Sequence, residues 1–277
     1  MRRVWESSTL TGSSDGLAKR AIRAIRGEPR SGAAPLVPRW ERAATASDEE
    51  GPMPLTEYER YLRVPELLGL QKPEESRTHP DELLFQTVHQ VEELWMKAAD
   101  DQIKRAVEAL DADRFEESRH ELHRIHLIEK LMSDQMRLLE TMAPVAYFAI
   151  RKGLGHGSGL ESPGFNRLLR TSRAIFEAFE RACERHSVTI ERMVQEPALH
   201  RPLWAIAETM LDVDEGFQNF RYRHLVLVRR IIGPGTPSLK GNPIELLENN
   251  AKKTFFPTLW KAREALFDGF KPGELKA

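Results

Sequence analysis

The stretch "HPDELLFQTVHQVEELWMKAADDQIKRAVEAL", residues 79–110, decides the fold, because it reads as one long helix. His79-Pro80-Asp81 opens it, and Pro80 suits a helix's first turn, where the missing N–H has no helical partner to lose. Phe85, Val88 and Trp95 mark its apolar face, and His89 stands on the flank of that face, one turn after Phe85. An imidazole in that position is either a core residue satisfied by a neighbour or a chemical group aimed at a ligand.

The same helical period continues on both sides. "LTEYERYLRVPELLGLQ" begins with Thr56 as an N-cap and is interrupted at Pro65. "DRFEESRHELHRIHLIEKLMSDQMRLLETM" is a third long helix. "PGFNRLLRTSRAIFEAFERACERHSV" and "HRPLWAIAETMLDVDEGFQNFRYRHLVLVRRIIG" follow, and "PIELLENNAKKTFFPTLWKAREALF" closes the domain. Period-two alternation of β-branched residues is almost absent, so the expected fold class is all-α, a helical bundle. Residues 1–54 differ: they are rich in Ser, Gly, Ala, Pro and Arg and hold too little apolar material to pack alone, apart from a short helical pattern at "GLAKRAIRAIRG". They are expected to be a flexible N-terminal extension to a helical domain at 55–277. Two glycine-rich loops, residues 151–164 and 233–243, interrupt the helices, and neither carries a phosphate-binding template.

Composition narrows the function classes. Lys plus Arg number 41 against 42 Asp plus Glu, a net charge of −1 that leaves no electrostatic footprint for nucleic acid or an anionic membrane surface. Cys183 is the single cysteine, which excludes a disulfide framework, a Cys-rich zinc site and covalent CxxCH haem attachment. No apolar run is long enough for a signal peptide or a membrane span, and a cytoplasmic location is the simplest expectation.

Histidines supply the candidate chemistry. His120, His123 and His126 step by three along one helix, a spacing that superficially suggests zinc. They drift about 60° per step, which works against all three converging on a metal, and solvated or capping groups are the better reading. His224 is different. It lies within a continuous apolar stripe of Phe217, Phe220, Leu227 and Ile231, where a neutral imidazole needs a hydrogen-bond partner or a metal. A satisfied core histidine fits that pattern as well. Two helices that each present one histidine from an apolar face, with no thiol or carboxylate alongside, also fit a flat apolar cofactor with one axial ligand, namely haem. Arg151 follows Tyr147-Phe148 at the edge of a glycine-rich loop, a place from which a guanidinium can grip a carboxylate or simply make a surface ion pair.

Five blocks, in order, resemble the haem-dependent tryptophan 2,3-dioxygenase superfamily across about residues 55–262. They are "YERYLRVPELLGLQ", "HPDELLFQTVHQVEELWMK", "LLETMAPVAYFAIRKGLGHGSGLES", "FRYRHLVLVRRIIG" and "TFFPTLW". The second resembles the family's HDExLFIxxHQxxELWxK, the fourth its WRxxHxxxVxRxIG and the last its FFPELW. The resemblance implies non-covalent haem b with His224 as the proximal iron ligand. It implies His89 as the distal, catalytic histidine that meets the substrate's ring N–H, and Phe85 as a wall of the pocket. Arg151 would bind the substrate carboxylate, helped by Tyr147, with Leu154 and Gly159 shaping the cavity and Thr236 at the substrate's ammonium group. Tyr58 and Tyr61 match tyrosines that reach toward the site from a neighbouring subunit, which implies a homotetramer.

The activity so implied is oxidation of an aromatic amino acid, foremost O2-dependent opening of the L-tryptophan ring to N-formylkynurenine. The family's GTGGSSG loop is here "GTPSLKG", residues 235–241, and its SGFQS is "SGLES", residues 158–162. Phe220 replaces the tryptophan of the fourth block, and the segment between residues 165 and 205 is short. Relatives that hydroxylate L-tyrosine, using peroxide, or that add one oxygen to an indole, depart in similar loops, so these reactions form the alternative. A non-catalytic helical interaction protein with core histidines is the alternative of another class.

Overall fold

The protein is described from a computed structural model at residues 54–155, 157, 159–237, 241 and 243–268. The helical pattern at "GLAKRAIRAIRG" and residues 238–240 of the altered loop lie outside the described residues. The chain divides into two compact units, residues 1–64 and 65–277.

In the first unit, α1 (Glu57–Leu62) starts as the sequence implies. Thr56 caps it reciprocally: its hydroxyl accepts from Glu59 N at 3.1 Å while the Glu59 carboxylate accepts from Thr56 N at 2.7 Å. Arg63, with φ 53°, ends it in the left-handed region, so the break comes two residues before Pro65, which sits inside the short α2 (Val64–Leu68).

In the second unit the described residues contain helices and no strand, as the periodicity requires. Three long helices carry it: α3 (Glu82–Asp111), α4 (Phe115–Leu139) and α8 (Arg201–Ile232), with α6 (Pro163–Arg185) packed along α3. Their length follows from their residues: α3, of 30 residues and about 45 Å, contains no glycine or proline. The helices bury one shared core, with Leu122, Met132, Phe179, Ile206, Met210 and Phe217 essentially inaccessible. Pro80 precedes α3 in a turn closed by Glu82 N donating to His79 O at 3.0 Å, rather than lying within its first turn. The three spaced histidines of α4 do not cluster: His120 and His123 are exposed, and His126 Nδ1 bonds Asp212 O at 2.9 Å.

Three spans differ from the sequence reading. The segment expected as loop from residue 151 is helical through Gly153, because α5 (Pro144–Gly153) begins at a favourable Pro144 and buries Ala146 and Ile150. A short α7 (Ile190–Gln195) starts at Thr189, whose hydroxyl accepts from Arg192 N. The closing segment is two helices, α9 (Glu245–Ala251) and α10 (Pro257–Asp268), separated by a turn held from α8. Asp214, fully buried on α8, accepts from Phe255 N at 2.8 Å, Phe256 N at 3.1 Å and Trp260 Nε1 at 2.9 Å. Three donors on one carboxylate fix the turn that no local signal forces.

Candidate active site

Between α3, α5, α8 and α9 lies a cavity of about 300 Å³. It gathers Phe85, His89, Tyr147, Arg151, Leu154, Gly159, His224 and Thr236 into one lining. Tyr58 and Tyr61 belong to the first unit, on α1, and both are largely exposed. Around the polar groups the wall is apolar: Met136, Leu139, Phe165, Phe220, Leu227 and Ile231.

His224 projects from the buried face of α8. Burial, with the His89 imidazole adding a smaller effect, pulls its pKa down to about 4, so at neutral pH it is uncharged with a free lone pair. His89 is held by its own helix, its Nδ1 lying 2.7 Å from Phe85 O. A carbonyl only accepts, so Nδ1 carries the proton and Nε2 is left as a bare acceptor. Its surroundings lower its pKa by burial, opposed by that same bond and by the Glu93 carboxylate. The ring lines the cavity and packs against Phe85 in a tilted pair, with centroids 4.1 Å apart and planes at 38°.

The polar end of the cavity is built from α5 and the loop after α8. Tyr147 and Arg151 stand one turn apart on α5, and the Tyr147 ring is 6.2 Å from that of Phe85. Burial raises the Tyr147 phenol, with Arg151 opposing, so it is neutral and able to donate. Arg151 Nη2 donates to Pro237 O at 3.1 Å, which ties the loop to the guanidinium. Thr236 donates its hydroxyl to Ile232 O at 2.6 Å, leaving the oxygen's lone pairs for a donor in the cavity. Gly233, with φ 86°, makes the sharp exit from α8 that brings this loop back.

Several functional neighbours carried no sequence signal. Glu92 lines the cavity from an unspecified position of its block, and burial pushes its pKa up to about 7, with Gln135 opposing and Glu93 adding. Glu93 accepts from the Ser162 hydroxyl and from Gly164 N at 3.0 Å, which anchors the start of α6 beside the cavity. Arg221, one turn before His224, donates to Asn250 O at 2.7 Å and to Lys253 O, and lies over the Phe217 ring at 4.7 Å. Behind it Glu129, nearly inaccessible, is held well above the usual carboxylate range by burial and by Asp214. Hydrophobic spacing reports which face is buried, not which acid on that face meets which donor.

The cavity suits a flat apolar cofactor with one nitrogen ligand. His224 supplies a neutral imidazole, and no cluster of three His, Cys, Asp or Glu is present among the described residues to hold a bare ion. These features define an all-α protein with an internal cavity in which one neutral imidazole faces an apolar wall. A family model described as tryptophan 2,3-dioxygenase matches residues 42–172. The tryptophan 2,3-dioxygenase of Herpetosiphon aurantiacus is 30% identical over 257 residues, covering 76% of this chain and 98% of that protein. Those of Nocardioides sp. and Myxococcus xanthus are 29% and 28% identical, each over 76% of this chain and over 94% and 90% of their own lengths. The chain belongs to the tryptophan 2,3-dioxygenase family.

Proposed function

We propose that this protein is a haem-dependent dioxygenase that opens the indole ring of L-tryptophan to N-formylkynurenine, the C2–C3 bond breaking as both atoms of O2 enter the product. The observation that carries it is the joining of an acceptor imidazole, His89, a neutral imidazole, His224, and a guanidinium, Arg151, in one cavity.

His224 would hold the haem iron, while Phe220, Leu227 and Ile231 offer the apolar surface a macrocycle needs. When bound, haem supplies the O2 chemistry that no side chain provides. The chain's own residues position the amino acid. Arg151 takes the carboxylate through charge-assisted hydrogen bonds, with the Tyr147 hydroxyl beside it. The free lone pairs of Thr236 meet the ammonium group. His89 Nε2 accepts from the indole N–H, its tautomer fixed by Phe85 O. Anchoring both ends holds the ring in a near-attack geometry, an effect of up to about 7–11 kcal/mol in the best intramolecular cases. The apolar wall limits water around the reacting ring.

The reading includes residues 1–54 as an N-terminal extension, a homotetramer in which Tyr58 and Tyr61 approach a neighbouring subunit's site, and a cytoplasmic location. Among the described residues no helix is long and apolar enough to cross a membrane. The reduced holoprotein, mixed with O2 and L-tryptophan, should give N-formylkynurenine with one O2 consumed per product. Failure of haem-loaded protein to form it, or conversion of L-tyrosine with peroxide instead, overturns the assignment.

A further inference from the structure

One polar patch of the cavity is unused by that reading. On α3, Glu92 falls about 20° around the helix from Phe85 and about 60° from His89, at about 100° per residue. It therefore shares their face, about 4.5 Å further along the axis than His89. The order along α3 matters. Phe85, beside Tyr147 and near the carboxylate-binding end, comes first; His89 is next, Glu92 follows, and Met96 closes the row. An amino acid anchored by Arg151, with its ring against His89, points the far edge of that ring toward Glu92. This placement rests on the function proposed above.

Two atoms there are unmet. Glu92 Oε1 and Gln135 Nε2, the latter on α4, are buried and without a hydrogen-bond partner among the described residues. The Gln135 amide is near enough to ease the rise in the Glu92 pKa, but the pair does not reach hydrogen-bond geometry. A buried acceptor and donor without partners are costly, and Glu92, unlike Gln135, lines the cavity from which a bound group can approach its carboxyl. With its pKa near 7, the Glu92 carboxyl can present either an acceptor or a donor at neutral pH. Met96, Met136 and Phe165, which line the same cavity, offer no polar contact to a ring edge.

We propose that Glu92 is a specificity-determining residue: with Gln135 behind it, its carboxyl receives a hydroxyl on the far edge of the substrate's ring, so the site favours a ring-hydroxylated aromatic amino acid over the unsubstituted one. The physical basis is that a site built to hydrogen-bond a hydroxyl discriminates strongly against an analogue that lacks it, whereas an apolar wall discriminates weakly.

The test compares L-tryptophan with its 5-, 6- and 7-hydroxy derivatives on the haem-loaded full chain. Dissociation constants come from the substrate-induced change in the haem spectrum, and kcat/KM from product formation. In the wild type at least one hydroxylated isomer should bind and react about tenfold better than L-tryptophan. Glu92→Leu should lower that ratio by tenfold or more, and Glu92→Gln should retain part of it. Should Glu92→Leu fail to load haem, Glu92→Gln and Gln135→Leu carry the same comparison through the ratio of dissociation constants. A wild type that prefers L-tryptophan over every isomer, or a ratio unmoved by the substitutions, overturns the inference while leaving ring opening intact. If substrates bind and no ring-opened product forms, the proposed reaction fails, and the binding ratios still decide the role of Glu92.

Discussion

Replacing Asp214 by alanine removes the acceptor of three N–H groups at once, two backbone and one indole, in the turn that joins α9 to α10. Hydrogen bonds to a charged group contribute about 1.5–3 kcal/mol each, and a donor left buried without a partner costs about 1–3 kcal/mol. Phe256 is fully buried, whereas Phe255 and Trp260 are half-buried, so water can recover part of the loss at those two. The sum is about 4–6 kcal/mol, which for a domain of this size lowers Tm by roughly 10–20 °C. Asparagine discriminates further. Oδ2 accepts from both Phe256 N and Trp260 Nε1, whereas Oδ1 accepts from Phe255 N and, at 3.5 Å, from Gln218 Nε2 on its own helix. An amide with its oxygen at the Oδ2 position keeps two of the three bonds, so Asp214→Asn should cost about 1.5–3 kcal/mol. Urea unfolding of the haem-loaded protein, followed by far-UV circular dichroism at fixed protein concentration, measures both variants. A loss below about 1 kcal/mol for Asp214→Ala, or equal losses for alanine and asparagine, would refute the view that this carboxylate holds the closing segment.

Other perturbations test the site itself. His224→Ala should fall below about a tenth of the wild-type haem content, read as Soret absorbance per chain, because the axial imidazole is lost; full occupancy rules out His224 as the ligand. Arg151→Ala should raise KM or the substrate Kd on the order of 10–100-fold, the value of a charge-assisted carboxylate contact, and unchanged binding removes Arg151 from that role. Glu129 tests pH dependence. Its folded pKa is raised by burial, so its stabilising contribution is complete below the ordinary carboxylate value of 4.5 and is lost as pH rises toward the folded value. Across that window each pH unit costs about 1.4 kcal/mol. Glu129→Gln, which mimics the protonated acid, should match the wild type near pH 4 and exceed its stability at pH 7; parallel stability–pH curves would show that Glu129 ionises freely in the fold.

Much of the architecture is legible in the chain alone. Helices declare themselves through apolar residues at three- and four-residue spacing, which any amphipathic helix needs to bury one face, and Thr56 declares its cap through the acid three residues later. His89 and His224 stand out because an imidazole on an apolar face demands a partner, and the ordered blocks around them point to one cavity. Tertiary structure alone decided what the polar groups on those faces meet. Asp214 in "LDVDEG" reads as an ordinary helix acid, yet its oxygens close a turn formed some forty residues later. Glu92 sits beside an equally acidic Glu93, and only packing sends one to cap α6 and leaves the other open beside the cavity. Arg151 reads as loop because glycines follow it, whereas burial of Ile150 draws it into α5 and fixes its direction. The periodicity of a sequence is a local property of one chain segment; the burial of a charge, and so its chemistry, is a property of every segment that surrounds it.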